Sequence, residues 1–250
     1  MKLFASDFDN TLHFNDGVNG YYKDYDIEAV NMFRNAGNFF GLCTGRPGNG
    51  FGTDLDQAPE MDFMIVSTGS LIRDCNGNTL YEARIPCKDI EELDSLTGEE
   101  GDLYIHANGD VYTLRCRRSQ YPQQTVVQLV SDIADLHITG VSIHTPSLEN
   151  ASSLTERLNK SFKSELIAFQ NQNWLDVIKK GNSKGIAALK AGEIFNADLV
   201  AGIGDSFNDI ELIRKADVSF TFPYAPDALK CEADYIVDSV AEAIDILMKM

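Results

Sequence analysis

The sequence predicts an α/β fold: a doubly wound, mostly parallel sheet with a smaller α+β cap inserted in it. Three observations predict it. Strand-like runs at residues 2–5, 39–43 and 199–203 each end in a polar motif, as buried parallel strands do where they feed a ligand crevice. Helix-spaced segments alternate with such runs in the first and last thirds, the pattern of crossover connections. The middle third instead shows hairpin signals and alternating strands, which suits a separate α+β unit.

Taken in order, residues 2–5 form the first strand, followed by Asp7-Phe8-Asp9-Asn10-Thr11 and a Gly- and Tyr-rich loop over 13–24. Ile27, Val30, Met32 and Phe33 are helix-spaced, and the helix stops at Gly37, a residue type suited to the left-handed C-terminal position. Residues 39–43 and 63–66 are near-continuous apolar runs, expected of strands covered on both faces. The first is closed by Thr44-Gly45-Arg46 and the second by Ser67-Thr68-Gly69-Ser70. Cys75-Asn76-Gly77-Asn78, between Leu71-Ile72 and Leu80-Tyr81, predicts a hairpin.

In the middle third, residues 89–96 read as a short acidic helix. Strands at 103–106 and 111–114 flank Asn108-Gly109, a hairpin signal. Val126, Val127, Leu129, Val130 and Ile133 are spaced as a helix over 125–136. A strand at 138–143, a helix at 154–162 and strands at 165–169 and 174–178 follow. The last third returns to the first pattern: a helix from Ser183, a strand at 199–203, a helix from Asp209, and strands at 218–222 and 235–237. The core is therefore 1–82 and 179–250, and the cap is 83–178. The cap enters beside a site-forming strand, where it can close over the crevice.

A formal charge of −17 opposes non-specific binding to nucleic acid or an anionic membrane, because phosphate-coated partners are repelled. It leaves room for a small phosphorylated metabolite, which feels the local field of its pocket and any bound cation. No apolar stretch approaches the ~20 residues of a spanning helix, and no basic-then-apolar leader precedes the first strand. Five scattered cysteines, odd in number and without a C-x-x-C pair, read as free thiols of a cytoplasmic protein. The expected assembly is a monomer or small homo-oligomer.

The strand-end motifs supply the chemistry. Asp7 and Asp9 are two apart, so in extended chain both carboxylates address one side. One can attack phosphorus to give an aspartyl-phosphate, and the other can protonate the leaving alkoxide and then activate water. A phosphoryl group in transfer spreads charge over three oxygens and needs cations. Mg2+ suits the oxygen donors, with Asp205 closing the metal site from another strand. Ser183 is a good N-cap, so Lys184 projects from a helix N-terminus where dipole and ammonium both favour an anion. Thr44 offers a hydroxyl, and Gly45 lets a backbone N–H approach a phosphate oxygen.

These motifs, in this order, resemble the haloacid dehalogenase superfamily, and within it the Cof-type sugar-phosphate phosphatases. Asp7 to Leu12 matches the first family motif and Leu42-Cys43-Thr44-Gly45-Arg46 the second. Lys184 within Lys180 to Gly185 matches the third, and Gly204-Asp205-Ser206-Phe207-Asn208-Asp209 the fourth. The resemblance implies Asp7 as nucleophile and Asp9 as general acid/base. It implies Mg2+ held by the Asp7 carboxylate, the Asp9 carbonyl and the Asp205 carboxylate, with Asp209 supporting. Thr44, Gly45 and Lys184 would hold the phosphoryl group, and Arg46 and Asn208 would line the pocket. Asn10 stands where many relatives carry Gly, and Thr68 where Cof-type members usually carry Asn. A phosphotransferase or mutase on the same fold, or a non-catalytic phosphometabolite-binding relative, remains as the alternative.

His106, His137 and His144 read as structural residues of the cap, His13 as a surface-loop residue, and Trp174 as packing where the cap rejoins the core. The basic cluster Arg115-Cys116-Arg117-Arg118 reads as a solvated face.

Overall fold

The structure, a computed structural model, describes residues 1–114, 124–163 and 165–250. The cluster at 115–118 lies outside the described residues. The chain begins with β1 (Lys2–Ser6), a small hairpin of β2 (His13–Asn15) and β3 (Gly20–Tyr22), α1 (Asp24–Asn35), β4 (Phe39–Cys43), β5 (Phe63–Val66), β6 (Leu71–Asp74) and β7 (Thr79–Glu82). It continues through α2 (Cys87–Thr97), β8 (Asp102–Ala107), β9 (Asp110–Leu114), β10 (Gln124–Val127), β11 (Ile138–His144), α3 (Leu148–Ser161), β12 (Leu166–Asn171) and β13 (Trp174–Lys179). The last third holds α4 (Lys184–Phe195), β14 (Leu199–Ile203), α5 (Ile210–Lys215), β15 (Val218–Thr221), α6 (Asp227–Lys230), β16 (Tyr235–Ile236) and α7 (Val240–Met248).

Eight strands make the core sheet in the order β16-β15-β14-β1-β4-β5-β6-β7. It is parallel from β16 to β5, and β6 and β7 add an antiparallel edge. From β1 the chain winds outward through β4 and β5, then returns to the other side of β1 with β14. That reversal opens a crevice at the carboxyl ends of β1, β4 and β14, where such sheets bind ligands. Both faces are covered, as apolar strands of a parallel sheet require. On one face α1 packs on α7 over Phe4, Phe33, Phe40 and Phe220, with ring centroids 5.8–6.2 Å from Phe4. On the other, Ala187, Ala188 and Ala191 of α4 lie on Leu3, Ala5 and Val200.

The cap is a six-stranded sheet, β10-β9-β8-β11-β13-β12, antiparallel except for the β9–β10 pair. Its strands alternate. Leu103, Ile105, Val141, Ile143, Leu175 and Val177 turn toward α2 and α3 and form the cap's apolar core. By the two-residue period, His106, Ser142 and Asp176 lie on the opposite face. That face covers the crevice.

Four expectations need correction. Residues 125–136 are not a helix: they form edge strand β10 and a 3-10 turn at Val130–Ile133. Asp132 drives the break, because its carboxylate accepts the N–H groups of Gln128 and Leu129 (3.1 and 3.0 Å). The loop at 13–24 contains the β2–β3 hairpin, and the second cap helix starts at Leu148 rather than 154 because Ser147 caps it. His13 is not on the surface: it is 4% exposed and stacks on Phe8 at 4.8 Å between ring centroids. The four described cysteines are free, and no helix of the described residues is long and apolar enough to cross a membrane.

Candidate active site

Three of the motifs reach the crevice because a core strand ends there, and the fourth, with Lys184, because a helix begins there. Asp7 directly follows β1, and its N–H donates to the Ile203 carbonyl at the end of β14 (2.9 Å). Thr44 follows β4 and donates its N–H to the Ile65 carbonyl (2.8 Å). The next tight turn is made by Asn10 at φ 59°, a left-handed conformation that Asn tolerates where Gly is absent. Gly204 ends β14 with no space for a Cβ, which would lie 2.4 Å from the Asp209 carboxyl carbon.

Lys184 opens α4, whose N-cap Ser183 accepts the Ile186 N–H at 3.2 Å. The ammonium is fully buried and donates to Asp7 Oδ1 and Asp209 Oδ1, both at 2.6 Å. Burial works against that charge, but Asp209 and Asp7 outweigh it and raise the lysine's pKa. Asp209's other oxygen accepts the N–H groups of Asp205 and Ser206 (3.0 Å each), so it braces the 204–209 loop and the lysine together. Burial, and then the charge of Asp209, push the Asp7 carboxyl up, while Lys184 pulls it back. Asp205 is pushed up to about 7, first by burial and then by Asp209.

Carboxylate oxygens of Asp7, Asp205 and Asp209 lie within 4.8 Å of one another. Three hard oxygen donors, with Asp7 and Asp205 pushed up by burial, and one lysine leave negative charge that a divalent, oxygen-loving cation would compensate. The donor set therefore fits Mg2+. Asp9 presents its carboxylate elsewhere: Arg46 Nε and Nη2 grip it at 2.9 and 2.5 Å. Arg46 Nη1 reaches Asp54 at 2.6 Å, and the guanidinium lies over Phe8, 4.9 Å from its centroid.

A cavity of about 160 Å3 lies between core and cap, on the order of ten times what one water needs. The core lines it with Asp7, Asp9, Asn10, Thr44, Gly45, Arg46, Asp205, Ser206 and Asn208. Lys184 and Asp209 lie beneath it. The cap contributes Ser142, Asn171, Gln172, Trp174 and Asp176. Trp174, expected only to pack, is thus also a wall of the cavity.

Asp176 was missed by sequence reasoning. It accepts from Thr68 Oγ1 (3.0 Å), Ser142 Oγ (3.1 Å) and the Asn208 side chain. Burial pushes its pKa up, and these hydrogen bonds and Lys184 oppose the push. Its Oδ2 would lie 2.5 Å from a Cβ on Gly45, so glycine there leaves room for the cap's carboxylate. Thr68 reaches it from a strained turn: Ser67, Thr68 and Gly69 have φ of 48°, 53° and 95°. The available signal was an acid inside Leu175-Asp176-Val177, on the strand face left over from the apolar alternation.

A profile of haloacid dehalogenase-like hydrolases matches residues 4–245. Over 244 residues the chain is 25% identical to the 5-amino-6-(5-phospho-D-ribitylamino)uracil phosphatase YcsE of Bacillus subtilis (strain 168), covering 97% of this chain and 92% of that protein. The solved structure of SMU.1108c from Streptococcus mutans UA159 matches with a TM-score of 0.85 at 18% identity, over 99% of each chain. That of the HAD subclass IIB sugar phosphatase BT4131 matches with a TM-score of 0.81 at 16% identity, over 100% of each chain. The structural matches speak for the fold, and the profile spans the motif-bearing strands from near the start of β1 to within α7. The chain belongs to the haloacid dehalogenase-like hydrolases.

Proposed function

We propose that this protein is a Mg2+-dependent phosphatase of small phosphorylated metabolites, acting in the cytoplasm through an aspartyl-phosphate on Asp7. The observation that carries the reading is the buried Asp7–Lys184–Asp209 triad beside Asp205 at the floor of a polar cavity. Mg2+, held by Asp7, Asp205 and the Asp9 carbonyl with Asp209 bracing the set, would neutralise phosphoryl charge. Among the described residues, the cavity and its floor bring Asp7, Asp9, Asp176, Asp205 and Asp209 against Arg46 and Lys184, so a phosphate dianion needs that compensation.

The Asp7 carboxylate oxygen bonds to phosphorus while the ester P–O bond breaks, and Asp9 gives its proton to the departing alkoxide. Asp9 then takes a proton from the water that attacks phosphorus, releasing inorganic phosphate and restoring Asp7. Arg46, anchored also by Asp54, keeps its place when Asp9 turns from it to the leaving oxygen. Thr44, the Gly45 N–H and Lys184 hold the phosphoryl oxygens, and Asn208 with Arg46 lines the pocket. Every candidate substrate shares the phosphoryl group, so selection among alcohols falls to the cap, residues 83–178.

The YcsE relative and the sugar phosphatase neighbour are named for phosphorylated, polyhydroxylated substrates, which supports the same class here. A screen of the intact protein over phosphorylated metabolites tests the reading. Phosphate release is expected with Mg2+, and its loss in EDTA, with recovery on adding Mg2+ back. Activity unaffected by metal removal, or no release from any monoester, would contradict it. Transfer to a second sugar hydroxyl instead of water would assign the chain to the phosphotransferase alternative.

A further inference from the structure

His106 of β8 is fully buried, yet it is a polar ring with both nitrogens engaged. Nδ1 lies 3.0 Å from Ser67 Oγ of the core, and Nε2 lies 3.1 Å from Ser142 Oγ of the cap. Burial lowers its pKa to about 3, so the ring is neutral and carries one donor and one acceptor. The direction of the chain follows from its end. Asp176, as a carboxylate, only accepts, so Ser142 spends its hydroxyl proton there. Ser142 Oγ therefore accepts from His106 Nε2–H, and Nδ1 accepts from Ser67. Cross-strand pairing holds this geometry: Ser142 stands directly opposite Asp176, and His106 opposite Gly140.

Asp176 receives three donors: Ser142 from the cap, and Thr68 and Asn208 from the core. A carboxylate offers about four acceptor positions, so about one is left for the cavity it lines. Because the carboxylate stands against Gly45, which the functional reading places on the phosphoryl oxygens, that position lies close to the ester bond.

We propose that His106 is a positioning residue which, through Ser142, fixes Asp176 as a hydrogen-bond acceptor, so that the enzyme selects phosphate monoesters carrying a hydroxyl or amine donor near the ester oxygen. This rests on the phosphatase reading. The role belongs to a residue that touches no substrate, and it narrows the substrate class to vicinally hydroxylated or aminated alcohols. Simple alkyl and aryl phosphates leave the last acceptor position of Asp176 buried and unmet, which is costly.

The test is a matched pair of probes, glycerol 3-phosphate and n-propyl phosphate, with p-nitrophenyl phosphate as a reporter of phosphoryl chemistry alone. The intact protein is expected to favour glycerol 3-phosphate by about tenfold or more in kcat/KM, the size of one hydrogen bond to a charged group. His106→Leu should abolish this preference while leaving n-propyl and p-nitrophenyl phosphate turnover little changed. His106→Gln, which retains an N–H toward Ser142, should keep most of it. Ser142→Ala, a smaller change than the leucine variant, should bring the kcat/KM values for glycerol 3-phosphate and n-propyl phosphate together. Equal use of the two probes by the unaltered protein would overturn the inference alone. So would a preference that survives both His106→Leu and Ser142→Ala, or an equal fall on all three substrates. Absence of phosphatase activity on every probe and on the metabolite panel would instead remove the functional reading, and the inference with it.

Discussion

Gly45 meets two demands at once: the proposed mechanism uses its N–H on a phosphoryl oxygen, and its missing side chain leaves room for the cap's Asp176. A Cβ there would stand 2.5 Å from Asp176 Oδ2 and 3.3 Å from Thr68 Oγ1, and the carboxylate, held by three donors, has little freedom to retreat. Gly45→Ala is therefore expected to lower kcat/KM by about tenfold or more, since small misplacements at a reacting centre have large effects. Circular dichroism should report an unchanged fold. Alanine kinetics indistinguishable from those of the unaltered protein would show that the cap does not press on this loop. That Asp7, Asp9, Thr44, Arg46 and Asp205 would gather at one crevice was legible in the sequence, because each follows an apolar run at a strand end. Asp176 was not. Its partner Thr68 is 108 residues away, and an acid in a half-buried strand looks the same whether it faces solvent or a second domain. Asp9 gave the opposite lesson: its position was legible, but its bidentate grip by Arg46 was not, because nothing in the local spacing says which arginine will fold back on it.

At the scale of elements, α4 carries the lysine that joins two of the site's acids. Its start is set by Ser183, the one side chain that accepts the orphan Ile186 N–H. Ser183→Ala is expected to lower stability by about 1 kcal/mol in urea unfolding. It should also lower turnover measurably, since Lys184 is the next residue. A loss of stability with no change in turnover would mean that Lys184 is held by its carboxylates alone. Helices with a clear cap or stop were legible, as at Ser183 and Gly37. The segment at 125–136 was misread because Val126, Val127, Leu129, Val130 and Ile133 fit a helical period by number while belonging to two elements. Val126 and Leu129 are in fact exposed, at 44% and 62%, so the apparent apolar stripe faces no single surface. β-branched pairs such as Val126-Val127 favour an edge strand over a helix, and that preference won.

For the whole molecule, the change of pattern in the middle third coincides with a second sheet of six strands, separate from the motif-bearing sheet of eight. The seam between them was not legible in the sequence, since it consists of small polar groups far apart along the chain. Ser67, His106, Ser142, Thr68, Asp176 and Asn208 form one buried set, and Asn49 adds an outer latch by donating to the Gly109 carbonyl (2.8 Å) and to Asp110 (2.6 Å). The buried imidazole gives the seam a signature in acid. Folded His106 takes up a proton only near pH 3, whereas the unfolded chain does so near 6.5. Its contribution to stability is thus fully present above about pH 6.5 and is lost as pH falls toward 3, at up to about 1.4 kcal/mol per pH unit. His106→Gln should make the melting temperature fall less steeply between about pH 6.5 and 5. Asp26 and Asp176, whose raised pKa values act in the opposite sense, are common to both proteins. Parallel melting profiles would show that His106 is solvated in solution.

The central claim is that Asp7 carries the phosphoryl group. Its direct measurement is an acid-quenched reaction in Mg2+ with the best substrate from the metabolite panel, followed by mass analysis of the peptide containing Asp7. The unaltered protein should show a phosphorylated Asp7 during turnover. Asp7→Asn, whose amide cannot form the acyl-phosphate, should remain folded, show no adduct and release no phosphate. Phosphate release by a folded Asp7→Asn protein at near the unaltered rate would contradict the account.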